Sequence, residues 1–401
     1  MKKAKAKRPP KKPKRHNPEP QRKEPLWKGP QEDGITFSLL SKWLVCPERF
    51  RLMVVEGLVE PEEKFPHALE YGSLWHEAEE AYAGGNDWKA AVRKYSEKLR
   101  AEYPADDKEI AKWTYICLCM FPEYTKFWKR DRMEKQRQPV LEEVAFRVPY
   151  QLPSGRWLTL RGKWDCVFML GKFLWLQENK TKGNIDEEGI TATVSKNLQS
   201  MLYQIALRVA YDPKTGAIDT GGEYVDTAMG LKHSGTLYNV IRRPLSDRYS
   251  PKQRKKENDR DFWKRASVGQ VEAKKPAHWF KRWKVNIPQR KLETFKRETF
   301  DPLLERLLDW WEWVAADPFN PWEPRRAVID ETDAAGILRL LNASEPTPKQ
   351  HCLVPNAVHW MFPWGVYNSI AGGWRGDYFE TLAKGNRHGL VEKTTLFPEL
   401  E

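Results

Sequence analysis

Cysteine is scarce in this chain and long apolar runs are absent. The five cysteines among 401 residues, at 46, 117, 119, 166 and 352, form an odd, scattered set. That excludes a disulfide framework and leaves no CxxC pair for a structural zinc, so reduced thiols are expected. No stretch approaches the roughly 18 consecutive apolar residues that a membrane helix needs, and the mean hydropathy is −0.73. A membrane-spanning chain is excluded on this reading. Lys2 and Lys3 lead into no apolar segment, which speaks against a secretory signal and for a cytoplasmic, nucleoid-associated location. No G-x-x-x-x-G-K-[ST] occurs, so the chain offers no P-loop for ATP.

What the chain does have is locally concentrated positive charge. The net charge is +13, and residues 1–30 hold 12 Lys/Arg against 2 Glu together with seven prolines. Such a composition cannot bury enough apolar surface to order itself, and a disordered basic tail is expected over residues 1–34. Residues 242–284 hold 15 Lys/Arg against 5 Asp/Glu. Two basic segments suit a polyanion, because Lys and Arg that meet phosphates release condensed counterions. A solvated tail serving only solubility is the competing reading. Within the second segment Trp279, Phe280 and Trp283 interleave with Lys281, Arg282 and Lys284, a mixture that suits base stacking and phosphate contact as well as it suits a packed strand.

The hydrophobic period predicts a helical start and a sheet beyond it. Leu39, Leu40, Trp43, Leu44 and Phe50 recur at helical spacing behind Thr36 or Ser38 as N-cap. Further helices are expected over Glu70–Ala83, ending at Gly84-Gly85, then to Ala101 behind Asn86 or Asp87, and over Ile110–Met133 with an interruption near Pro122. Val140–Tyr150, Trp157–Arg161, Trp164–Leu170 and Phe173–Lys180 read as strands, the last two joined in a hairpin by Gly171-Lys172. A helix over Ser195–Tyr211 and a strand over Thr236–Arg242 follow, then helices over Leu292–Ala315 and Glu331–Leu341. The fold class is α/β with a mixed sheet, a helical N-terminal addition and a helical C-terminal extension. The core domain is placed at 35–320 and a partly irregular extension at 321–401.

The chemistry concentrates in Gly162-Lys163-Trp164-Asp165, Glu178-Asn179-Lys180, and Gln199 with Tyr203. Asp165 and Glu178 lie on the two arms of the hairpin, and strand alternation puts Glu178 and Lys180 on one face with Asn179 turned away. Two carboxylates and an ammonium then converge, a set of hard oxygen donors suited to Mg²⁺ or Mn²⁺. An ordinary cross-strand Glu/Lys pair would explain E-x-K alone. Gln199 and Tyr203 share a helix face at i and i+4, and Gly72-Ser73-Leu74-Trp75-His76 places a histidine early in a helix.

This ordered set resembles the PD-(D/E)XK nuclease superfamily, with its restriction-endonuclease-like core, and in particular the RecB-like branch and the related phage recombination nucleases. Cys46-Pro47-Glu48-Arg49-Phe50 is similar to the opening helix of these proteins, Glu143-Val144-Ala145-Phe146 to the strand before Gly-x-x-Asp, and Gly235 to Arg242 to the strand after the Gln/Tyr helix. The resemblance implies that His76, Asp165 and Glu178, with the backbone carbonyl of Asn179, hold a metal ion, that Lys180 is the catalytic lysine, and that Gln199 and Tyr203 line the cleft. It implies Mg²⁺ or Mn²⁺ as cofactor and DNA as substrate. A recombinase, a single-strand-binding protein or a helicase would be the protein partner, in the host cytoplasm if the chain is phage-encoded. Several relatives carry a 4Fe–4S cluster on a cysteine of the opening helix and three near the C-terminus; here Cys46 lacks such a trio, so no cluster is expected. The rival reading is a non-catalytic DNA-binding module that keeps the fold. Degenerate members lose a ligand or the lysine, and none is lost here.

Overall fold

The computed structural model describes residues 25–59, 65–244, 252–315, 390–397 and 400. Residues 1–24, the helix expected over Glu331–Leu341, Cys352 and most of the expected C-terminal extension lie outside them. In chain order the elements are α1 (Phe37–Val45), α2 (Pro47–Phe50), β1 (Leu58–Val59), α3 (His67–Ala83), α4 (Trp88–Glu102), α5 (Asp107–Trp128) and α6 (Arg132–Gln136). Then come β2 (Gln138–Gln151), β3 (Trp157–Leu170), β4 (Phe173–Lys182), α7 (Glu187–Thr193), α8 (Leu198–Ala210), β5 (Ala217–Asp219), β6 (Tyr224–Asp226) and β7 (Lys232–Arg242). The last are α9 (Asp259–Lys274), α10 (Pro276–Trp279), β8 (Phe280–Asn286), α11 (Gln289–Phe295), α12 (Asp301–Ala315) and β9 (Val391–Glu392). No helix among the described residues is long and apolar enough to cross a membrane.

The chain divides into two compact units. Among the described residues the smaller comprises 25–27, 43–59, 313–315 and 390–396. Its β1 pairs antiparallel with β9, and Trp27 packs edge-on against Phe50 with ring centroids 5.2 Å apart. Part of the expected tail is thus folded: the Leu26 N–H donates to the Val55 carbonyl at 2.8 Å and Trp27 is fully buried, because one large apolar ring offsets the local charge. Cys46 is buried here.

The larger unit comprises, among the described residues, 28–42, 65–244, 252–312, 397 and 400. Its centre is a five-stranded sheet in the order β2-β3-β4-β7-β8, in which β4 and β7 run parallel and the other neighbours antiparallel. A parallel pair needs a long crossover, and α7, α8 and the β5–β6 hairpin supply it. The two central strands are buried over most of their length, as expected for strands covered on both faces. On one face α3, α4 and α5 bury Tyr71, Trp75, Trp113, Phe121 and Tyr124 together with Ile241 and Phe280. On the other, Tyr238 and Val240 pack with Ile190 and Val194. Local signals behave as expected at α4, where Asp87 caps the first turn by accepting from Lys89 and Ala90, and at α8, which Asn197 caps by accepting from Ser200.

Three expectations change. Trp157–Leu170 is one strand rather than two, since Gly162 sits in mid-strand opposite Phe146 instead of ending a run. Helix α5 runs through Pro122 without ending. The helix expected over Leu292–Ala315 carries a π turn at Lys296–Phe300.

Candidate metal centre

The site lies where two strands part. β3 and β4 pair from Leu170↔Phe173 to Cys166↔Gln177 and no farther; beyond that point β3 continues against β2 and β4 against β7. Asp165 and Glu178 are the first residues past the split, one on each arm. The Asn179 N–H reaches across the fork to Asp165 Oδ2 at 2.6 Å. Gly162 makes the neighbourhood possible. A Cβ there would stand 2.6 Å from Phe146 Cζ and 2.9 Å from Tyr203, where Phe146 stacks on Trp164 at 4.3 Å and meets Tyr203 edge-on at 5.4 Å. Gly72 lets α3 approach β4 closely, since a Cβ would meet Thr181 Oγ1 at 3.2 Å.

That approach carries His76 into the fork. Its Nδ1 lies 2.9 Å from Glu143 Oε1, and the other oxygen of Glu143 is 3.0 Å from Lys163 Nζ, which also sits 3.6 Å from Glu80. One ligand atom from each of His76, Glu143 and Asp165 falls within 4.8 Å of the others. Glu143 lies between the pairs Glu142↔Cys166 and Val144↔Trp164, level with Asp165, and its φ is +51°. A left-handed conformation costs a non-glycine residue about 1–2 kcal/mol, and here it accompanies a carboxylate that contacts both His76 and Lys163. An imidazole with two carboxylates fits a divalent ion of the Mn²⁺ or Mg²⁺ kind.

The electrostatics are those of a site built for a cation. Burial opposes the imidazolium, but Asp165 and then Glu143 outweigh it and lift His76 to about 10. Burial raises Asp165, with His76 pulling the other way. Glu143 is held below the usual carboxylate range despite burial, by His76 and Lys163. Glu178 is raised to about 7 by burial, against the pull of Lys180. Lys180 is raised in spite of burial by Glu178 and Asp165. Glu79, one turn beyond His76, is raised to about 7 by burial, and its Oε2 is buried without a hydrogen-bond partner.

Of the residues expected from sequence, His76 and Asp165 come together. Glu178 stands outside that three-ligand group: its Oε1 accepts from Lys180 Nζ at 2.6 Å and from Gln199 Nε2 at 2.7 Å. Tyr203 lies on α8 against Gly162 and Phe146. The Asn179 side chain is turned to the opposite face, where its Oδ1 accepts from Asn239 Nδ2 at 2.8 Å. Glu143 reads from the sequence only as part of a strand; the available signal is a carboxylate that register places opposite Asp165. In the Trp-rich basic stretch Trp279 ends α10 and Phe280–Lys284 lie on β8. Trp279 and Phe280 are buried, Lys281 pairs with Glu187 at 2.9 Å, Lys284 lies 4.7 Å over the Trp175 ring, and Arg282 points inward.

The site thus joins a histidine from α3 to carboxylates on β2, β3 and β4 and a lysine on β4, at the fork of a mixed five-stranded sheet. The family model of the PD-(D/E)XK nuclease superfamily matches residues 35–323, well over half of the chain, and the protein belongs to that superfamily. No protein of curated function matches the chain.

Proposed function

We propose that the protein is a Mg²⁺- or Mn²⁺-dependent deoxyribonuclease of the RecB-like branch, an exonuclease acting at DNA ends in recombination or repair, of the kind phages encode. The observation that carries this reading is the convergence of His76, Glu143 and Asp165 within 4.8 Å beside the Glu178–Lys180 pair. His76, Glu143 and Asp165 would hold the ion, with Glu178 and the Asn179 carbonyl at its border. When bound, the ion supplies Lewis-acid stabilisation of phosphoryl charge and an acidified water. The chain's own groups do the rest. Lys180 keeps its proton beside two carboxylates and so presents a fixed positive charge where negative charge develops. Gln199 holds Glu178 by one oxygen and fixes its direction. Tyr203, whose hydroxyl burial keeps protonated, stands as a donor at the wall of the fork. A recombinase, a single-strand-binding protein or a helicase would be its protein partner, and any ATP-driven unwinding would fall to that partner, since the chain has no G-x-x-x-x-G-K-[ST] of its own.

The test is cleavage of end-labelled linear and closed circular DNA by the full chain with Mg²⁺, Mn²⁺ or EDTA. Linear DNA should be degraded from its ends and circular DNA spared, EDTA should abolish the reaction, and Asp165→Asn or Lys180→Met should lower kcat by at least about 10²-fold. Metal-independent cleavage, or wild-type rates in both variants, would overturn the assignment; cutting of closed circles would overturn its exonuclease part.

A further inference from the structure

Behind the fork, on the opposite face of β4, runs a buried polar chain. Its anchor is Arg282 on β8, a side chain only 6% exposed. The guanidinium donates through Nε to Asn239 Oδ1 at 3.1 Å, through Nη1 to Glu134 Oε2 at 2.7 Å and through Nη2 to the Tyr124 hydroxyl at 3.3 Å, and it lies 3.9 Å over the Trp128 ring. Asn239 Nδ2 donates to Tyr124 at 2.7 Å and to Asn179 Oδ1 at 2.8 Å. Gln177 Nε2 donates to the same Asn179 oxygen at 2.9 Å. The Tyr124 hydroxyl in turn donates to Glu79 Oε1 at 2.8 Å. Its one proton and both lone pairs are thereby used.

The two ends of this chain touch the two elements that enter the site. Asn179 lies between Glu178 and Lys180, and its N–H binds Asp165. Glu79 lies one helical turn after His76, on the helix that carries that histidine. Buried polar groups of this kind are no better for stability than apolar packing of equal volume, and often worse. What such a network does provide, satisfied here at Tyr124 and left open only at Glu79 Oε2 among the oxygens named, is a single geometry. We propose that Arg282, acting through Asn239 and Tyr124, is a positioning residue that sets the spacing of β4 and α3 at which the metal ligands converge. This rests on the nuclease reading above.

Mn²⁺ binding to the full chain, followed without DNA by the electron paramagnetic resonance of the free ion, gives a readout independent of turnover. Tyr124→Phe keeps the ring in its apolar surroundings, and Arg282→Lys keeps the charge but not the fork of donors. Both should fold with wild-type circular dichroism and raise the Kd for Mn²⁺ by about 10–100-fold. At fixed Mn²⁺ they should lower kcat with KM for DNA unchanged, and excess Mn²⁺ should restore kcat. A lowered Tm with an unchanged Kd in Tyr124→Phe would mean a merely structural network and overturn the proposal; that variant decides the matter should Arg282→Lys not fold. If the wild-type chain binds no Mn²⁺, the nuclease reading falls and this inference with it. Wild-type binding that neither variant alters overturns the inference alone.

Discussion

Binding of a divalent ion to this site should depend on pH through His76. In the metal-free protein the imidazole is lifted to about 10, so near neutrality it is an imidazolium held between Glu143 and Asp165. A metal can use only the neutral ring, and binding must expel that proton. The apparent association constant should therefore rise about tenfold per pH unit below pH 10. Asp165, also raised by burial, and Glu178, at about 7, add to this dependence, so it is the difference between wild type and His76→Gln over the interval from pH 7 to 8.5 that isolates the histidine. Across it the wild-type chain should bind Mn²⁺ about 30-fold more tightly, whereas His76→Gln should change far less. Calorimetry in two buffers of different ionisation enthalpy should find about one more proton released by the wild type than by the variant. Stability of the metal-free protein should move the other way. A raised pKa stabilises the fold fully below the unfolded value of about 6.5 and ceases to do so as pH climbs through about 10, so the advantage of wild type over His76→Gln should fade across that interval. Equal proton release by the two proteins would refute the placing of His76 on the metal.

Other outcomes are equally specific. Glu143→Gln should weaken Mn²⁺ binding by about 10-fold or more; calorimetric titration at wild-type affinity would exclude this carboxylate from the site. Gly162→Ala forces a methyl against Phe146 and Tyr203 and should cost about 1–3 kcal/mol, read as a lower midpoint in urea; an unchanged midpoint would mean that the aromatic pair yields freely. Deleting residues 1–24 should flatten the salt dependence of DNA binding by about 0.7–0.9 in log–log slope for each phosphate the tail neutralises, and an unaltered slope would make the tail a solubilising segment only. Iron analysis of anaerobically purified protein should give none, with Cys46→Ser retaining activity; stoichiometric iron would reveal cluster ligands other than a C-terminal cysteine trio.

Much of the site is legible in the sequence because its signals are local. Two-residue alternation suffices to put Glu178 and Lys180 together and Asn179 behind, and four-residue spacing suffices for Gln199 and Tyr203. Glu143 is hidden because its direction depends on a left-handed φ that nothing in Glu-Glu-Val announces. Arg282 is hidden for a different reason. In a window of lysines and tryptophans it is indistinguishable from a surface cation, and its burial depends on Trp128, Glu134 and Tyr124, all about 150 residues earlier. The continuity of β3 escapes the sequence because glycine in a strand usually weakens it, whereas Gly162 is the gap into which Phe146 fits.

The irregularity of β2 bears on association as well as chemistry. This strand borders the sheet among the described residues, and a long bordering strand is a template on which another chain can add. Its register slips between Pro139 and Leu141, the backbone kinks at Glu143, and farther along the Arg147 N–H is taken by the Thr220 carbonyl at 2.7 Å. An incoming strand would find the row of outward amides broken at three places. The same left-handed turn that accompanies the Glu143 contacts thus also helps to keep the sheet from growing.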